Sequence, residues 1–339
     1  MATFWDTLPK PVSPGGSRGG PFFVLAPLAN VTDAAFRRMV AKYGKPDVLW
    51  TEFVSADGLC LASEEGRAKL MRDLDFTEAE RPIVAQFFTS NPERMEQAAR
   101  LARELGFDGI DLNMGCPDKS IEKQGAGAKL ITTPEVAREL IRAAKRGAGS
   151  DTGGIPVSVK TRLGYNKDTL EEWLPIILAE APAAVTIHAR TRKEMSKVAA
   201  HWDRVKRAVE IRDEMGSEAL IIGNGDVQSV AEGRQRALES GADGVMIGRG
   251  IFGMPWLFAE LSAPDLPSLS ARLRIAVEHA YLFEELLGDI KNFALMKKHF
   301  RVYVEGFPGA RELRAQLMET NTAAEVEKLI EAFLQEGVY

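Results

Sequence analysis

The sequence predicts an α/β fold, a (β/α)8 TIM barrel followed by a C-terminal helical domain, with the barrel over 20–258 and the helices over 267–339. Three observations predict it. Eight short apolar runs rich in β-branched residues recur along the first part of the chain. Segments with helical spacing fill most of the gaps between them, and nearly every run ends on a polar or glycine-rich group. A doubly wound sheet usually stops near about six strands, so eight favour a closed barrel, whose strand ends share one rim.

The first run, "FFVLAPLA", leads into a helix over 33–43 with Thr32 as its cap, and then into "VLWTEFV". The interval 57–81 is long, charged and poorly patterned, which predicts a short helix or a loop in its place. After "IVAQFF" a helix opens on Pro92 and closes before Gly106; after "GIDLNMG" another covers 134–145, again with proline first. "PVSVKTRLG", "AVTIHAR" and "ALIIGNG" follow, then a helix over 227–239 stopped by Gly241, and the last strand "GVMIGRG". Beyond "FGMPWLF" the composition changes and "SAPDLPSLS" reads as a linker. Helices are predicted over 269–287, 289–303, 310–318 and 323–333, with the turn "GFPG" between the second and third.

The formal net charge of -5 weighs against indiscriminate coating of nucleic acid but leaves room for a local basic surface. Such a stretch exists: Lys291, Lys297, Lys298, Arg301, Arg311 and Arg314 face only Glu305 and Glu312 in the same segment. Two cysteines, Cys60 and Cys116, make no disulfide framework. The N-terminus lacks a basic start followed by an apolar core, and no run is long enough to cross a bilayer, so a soluble cytoplasmic protein without a membrane partner is expected.

Cys116 lies just past the fourth run, between "NMG" and Pro117 and ahead of a flexible "GAG". A lone cysteine is commonly a small buried hydrophobe, the reading Cys60 keeps; the loop context of Cys116 favours chemistry instead, as nucleophile or as acid. Lys160 sits in an otherwise apolar strand, where it must either emerge at the rim or meet an anion such as a reduced flavin ring. His188 reads equally as a core histidine or a ligand contact. Asn113 and Gln86 carry paired donors and acceptors suited to a pyrimidine edge, or to tying down a loop. "GNGD" (223–226) and "GVMIGRG" (244–250) close the seventh and eighth runs, where this architecture often binds phosphate on backbone N–H groups, with Arg249 adding a charged fork. No "HExxH" or cysteine cluster suggests a metal, and "GAGAKL" lacks the spacing of a nucleotide-binding P-loop.

Taken in order, "FFVLAPLANVTDAAFRRM", "DLNMGCPDKSIEKQGAGAKL", "VSVKTRLG", "IHARTR", "IIGNGDV", "VMIGRG" and "KNFALMKKHFRVYVEGFPGARELR" resemble the tRNA-dihydrouridine synthase family across most of the chain. The resemblance implies an FMN-containing barrel and a helical domain that grips tRNA, with NADPH as electron donor and a monomer in solution. It implies that Cys116 is the general acid and Asn113 a reader of uracil. Pro27, Leu28, Gln86, Lys160 and His188 match flavin-pocket positions, and Asn224, Gly225, Asp226, Gly248 and Arg249 the phosphate-side loops. Arg190 matches a position that helps hold the RNA backbone, and Lys297 and Lys298 fall in the basic stretch of the helical domain. In the reaction so implied, hydride reaches uridine C6 from FMN and a proton reaches C5 from Cys116. Two departures stand out: Leu28 replaces a usual methionine, and Asn30 replaces a usual small residue. An FMN-dependent oxidoreductase of free pyrimidines and a non-catalytic tRNA-binding protein are the competing readings.

Overall fold

A computed structural model describes residues 3–9, 20–262 and 265–337. Its sheet has eight parallel strands: β1 (Phe22–Leu25), β2 (Leu49–Ser55), β3 (Ile83–Phe88), β4 (Gly109–Met114), β5 (Val157–Arg162), β6 (Ala184–His188), β7 (Leu220–Asn224) and β8 (Gly244–Ile247). Each pairs with its neighbour in sequence from β2 to β8, and β8 pairs with β1. Hydrogen bonds from Asp47 N–H to Phe23 O (2.9 Å) and from Leu25 N–H to Val48 O (3.3 Å) join β1 to the start of β2 and close the barrel. All eight expected strands are present.

Between them run the helices α1 (Ala34–Tyr43), α2 (Ala56–Leu61), α3 (Glu64–Asp73), α4 (Pro92–Glu104), α5 (Lys119–Lys123), α6 (Pro134–Ala148), α7 (Leu170–Leu178), α8 (Trp202–Glu214) and α9 (Val230–Ser240). The cap of α1 is Asp33, whose carboxylate accepts from Phe36 N–H, and not Thr32. The unpatterned interval after β2 holds two helices. α3 buries none of its residues, which is why it carries no apolar stripe. A 3-10 turn follows, and its Glu80 forms a fully buried pair with Arg37 of α1 at 2.8 Å.

The barrel floor is plugged by the N-terminal segment. A 3-10 turn, Phe4–Thr7, places the Trp5 ring 5.9 Å from Phe22 and 6.0 Å from Trp50. Side chains of alternate strands fill the interior above it, so the barrel is a packed core below and a cleft only at the C-terminal ends of its strands.

Four further helices follow: α10 (Leu269–Leu287), α11 (Lys297–Tyr303), α12 (Ala310–Leu317) and α13 (Ala323–Glu336). The expected single helix over 289–303 is split, because Asn292 turns back to cap Ala294 N–H and starts a 3-10 turn, Phe293–Met296, ahead of α11. Part of the expected linker, residues 263–264, lies outside the described residues, as does the N-terminal stretch 10–19. The helices share an apolar core that also takes in Ala35 and Met39 of α1 and Trp256, so the helical unit is docked on the barrel through buried apolar surface.

Candidate active site

The cleft is built from the C-terminal ends of β1, β2 and β4 to β8, and its empty volume is about 950 Å³ including the space open to solvent. Ala26, Pro27, Leu28, Phe53 and Met246 give it an apolar side. Asn113, Cys116, Lys160, Arg162, His188, Arg190, Asn224, Asp226 and Arg249 give it a polar and strongly cationic side. Of the sequence-predicted residues, Gln86, Lys297 and Lys298 do not line it.

Cys116 follows β4 on a loop held by Asn113. The Asn113 Oδ1 accepts from Cys116 N–H at 2.9 Å and Gly115 N–H at 3.2 Å, while its Nδ2 donates to Gln86 Oε1 at 2.9 Å. This amide ties down the loop, and it also lines the cleft. Gly127 comes back against the same loop; a Cβ there would stand 2.6 Å from Cys116 O, and its φ of +61° already calls for glycine. Burial pushes the Cys116 thiol up from its ordinary value, so it keeps its proton at neutral pH.

Lys160 is next to Asn113 across the β4–β5 pairing, and its Nζ donates to Asn224 Oδ1 at 3.2 Å. That partner is a neutral amide. Surrounded by protein, with surface left only toward the cleft, the ammonium is pushed down to about 8 by desolvation and by the nearby Arg162. Asp111, one layer below, offsets this only in part, so the burial of the cation remains a standing cost that an anion in the cleft would reduce. Asn224 is in turn oriented by donating to Met246 O at 2.8 Å.

Arg162, two residues beyond Lys160 on the same face of β5, was not singled out in the sequence. Its Nε donates to Gly115 O at 2.7 Å and its Nη1 to Thr191 O at 3.2 Å, so it ties the Cys116 loop to the loop after β6. Burial lowers it to about 10. The strand period of two was the signal that finds it. His188, at the end of β6, is held well below its usual value by burial and by the cations Arg162, Lys160, Arg190 and Arg249, so it is a neutral imidazole.

Arg190 is only 2% exposed. Its guanidinium donates to Val198 O at 2.7 Å and pairs with Asp226, and it faces the cleft and not the outer surface. Arg249 reaches the other oxygen of Asp226 at 3.0 Å. Between them the backbone turns at Gly225 with a φ of +133°, a conformation L side chains rarely adopt. Gly248 is different: its φ is -109°, and an added Cβ would meet only Ala26 Cβ at 3.6 Å and Leu28 Cδ2 at 3.9 Å. The protein's own packing does not require that glycine; the space it leaves belongs to the cleft.

A parallel barrel carrying a protonated thiol, a neutral imidazole and four cations at one rim defines a class: an enzyme-type barrel with an anion-receiving cleft. Comparison with known proteins narrows this. The family described as "Dihydrouridine synthase (Dus)" matches residues 24–337, and the chain belongs to that family. A "Probable tRNA-dihydrouridine synthase" of Staphylococcus epidermidis is 40% identical over 332 residues, covering 97% of this chain and 96% of the relative. A "Probable tRNA-dihydrouridine synthase 2" of Bacillus subtilis is 42% identical over 335 residues, with 97% and 96% covered. Among solved structures, histamine dehydrogenase from Rhizobium sp. 4-9 aligns with a TM-score of 0.54 at 13% identity, over 83% of this chain and 51% of that one. A 2-naphthoyl-CoA reductase aligns at 0.53, with 13% identity, over 76% and 52%. The chain spans about half the length of these two structures, which share its barrel fold.

Proposed function

We propose that this protein reduces the C5–C6 double bond of a uridine in tRNA, using FMN and NADPH, with Cys116 as the proton donor. The observation that carries the reading is a thiol kept protonated at the mouth of a cationic cleft in a dihydrouridine synthase family member. The residues present fit a flavin. Lys160 is a buried cation in want of an anion, Gly248 leaves open space beside Ala26 and Leu28, and Arg249 with the Gly225 turn offers charge and backbone at the phosphate end. Pro27, Leu28 and Met246 would face its ring, with Lys160 and His188 at its polar edge and Asn224, Gly225, Asp226 and Gly248 at its tail. Arg190 would act there too, by holding Asp226, in place of the RNA contact the resemblance implies. Gln86 would support the pocket from behind Asn113.

When bound, FMN reduced by NADPH supplies the hydride that ordinary side chains cannot. The uracil would gain a hydride equivalent at C6 and a proton at C5, with NADPH as the two-electron donor oxidised to NADP+. Cys116 gives up the proton, and the thiolate left behind faces Arg162 and Lys160, which favour it. Solvent later restores the thiol. Asn113 orients the cleft edge of the base with the amide hydrogen that Gln86 does not take.

A base inside folded tRNA must leave its stack to reach such a cleft, and backbone contacts elsewhere must offset that cost. Lys297 and the exposed Lys298 and Arg301, all on α11, would supply them. Substituting Cys116→Ala is expected to slow single-turnover formation of dihydrouridine by about 10²- to 10⁴-fold, the usual worth of a positioned acid, with flavin content unchanged. An unchanged rate would remove Cys116 from proton transfer.

A further inference from the structure

The layer beneath the cleft contains a charge to which the reaction gives no task. Asp111 is fully buried on β4, and the strand pairings place it beside Gln86 of β3 and Ser158 of β5. Its Oδ1 accepts from Ser158 Oγ at 2.6 Å and its Oδ2 from Gln86 Nε2 at 2.5 Å. We propose that Asp111 is a positioning residue: its carboxylate fixes the direction of a hydrogen-bond relay through Gln86 and Asn113 that ends on the Cys116 backbone.

The argument is one of donors and acceptors. An ionised carboxylate can only accept, so Gln86 must turn its NH2 toward Asp111. Its Oε1 then faces Asn113 and demands that residue's NH2, which turns the Asn113 Oδ1 toward Gly115 N–H and Cys116 N–H. Amides have no intrinsic preference between their two orientations, and each link is decided by the one before it. At the far end the chain must present an oxygen, because the loop offers two N–H groups. The charge that makes this unambiguous sits one residue pair below the cleft and touches nothing in it. Desolvation raises Asp111 to about 6, so above that pH the accepting form prevails. Lys160, the charged neighbour on β5, favours the same form.

The relay itself is independent of the reaction; only its consequence for the thiol rests on the function proposed above. The test therefore reads the loop directly. In flavin-loaded protein, hydrogen exchange at the Cys116 amide is measured by fragmentation mass spectrometry, beside single-turnover reduction of tRNA. Asp111→Leu removes the acceptor, so nothing holds the Gln86 NH2 in place and the Gln86 and Asn113 amides are free to reverse, setting an NH2 against Cys116 N–H. It is chosen over Asp111→Asn because Ser158 Oγ also lies 3.2 Å from Ile110 O and can turn there, which would let an amide at 111 keep its oxygen toward Gln86. Exchange of the Cys116 amide in Asp111→Leu is expected to rise about tenfold or more, with a parallel loss of single-turnover rate. The exchanged pair Asp111→Asn with Gln86→Glu restores the order: the amide at 111 donates to the carboxylate at 86, which again accepts from Asn113. It is expected to recover protection to within about threefold of the parent. Parent-like exchange in the folded single variant overturns the proposal. So does a double variant that restores neither folding nor protection. If the amide behaves as described but no dihydrouridine is formed by any variant or by the parent, the relay stands and the function fails.

Discussion

Desolvation acts on Cys116 and Lys160 in opposite senses, and each outcome suits a different partner. It raises the thiol, which keeps a proton to give, and lowers the ammonium to about 8, which leaves a cation poised to be stabilised by an arriving anion. The sign for binding follows: below pH 8 the cation is already formed, whereas above it the bound anion must draw a proton onto Lys160. Affinity for FMN should therefore fall as pH rises through about 8, and Lys160→Met should weaken binding and flatten the dependence. Fluorescence titration at pH 7 and pH 9 reads both; parallel curves in the two proteins would refute the role. At this scale the sequence was legible wherever chemistry sat in a loop or interrupted an apolar run, as at Cys116, Lys160 and Arg249. It was silent on Arg162 and Asp111, although each lies two residues from a residue that was recognised, Lys160 and Asn113. The strand period carries that information only once the facing layer is known to be polar.

At the level of elements, the β1–α1 connection explains the departure at Asn30. Its φ is +56°, in the left-handed region where glycine is free and asparagine is the best tolerated alternative. Its backbone N–H donates to Glu52 of β2, and Lys298 Nζ lies 3.5 Å from its carbonyl. Asn30→Ala should cost about 1–2 kcal/mol in denaturant unfolding, whereas Asn30→Gly should be tolerated. Equal losses in both would mean that the side chain, not the backbone, is what matters. The same principle of local demand accounts for the misread boundaries. Asp33 outcompetes Thr32 as a cap because the Thr32 hydroxyl already accepts from Leu28 N–H at 2.8 Å, and Asn292 breaks the expected 289–303 helix by capping a tighter turn. Hydrophobic spacing sees neither event, since both are settled by hydrogen bonds across a few residues.

For the whole molecule, the overall acidity and the local basic stretch are reconciled by how the helical unit docks. Lys291 is not offered to a nucleic acid: its Nζ lies 2.5 Å from Glu52 and 2.8 Å from Asp73, with its side chain only 13% exposed. Burial opposes its charge, yet the two carboxylates hold its pKa above the usual lysine value. Close by, Asp33 is pushed up to about 7 by burial and by Glu52. Lys291 thus cements the helical unit to the barrel beside the loop that carries Pro27 and Leu28, while Lys298 and Arg301 remain on the outside. Lys291→Met strands two carboxylates at that junction and should destabilise the protein by about 3–5 kcal/mol, with faster proteolysis in the helical unit than in the barrel. Uniform unfolding of both units would contradict a role at the junction. The eight strands and the appended helices were legible from periodicity and punctuation, but this ionic seam was not, because it joins Glu52 to Lys291, 239 positions further along the chain.

The most direct measurement is nucleoside mass mapping of tRNA from cells lacking this gene, before and after incubation with purified protein, FMN and NADPH. The account predicts a uridine that gains two hydrogens only when the complete mixture is present. Unaltered tRNA, from a preparation that binds FMN and accepts electrons from NADPH, would contradict it.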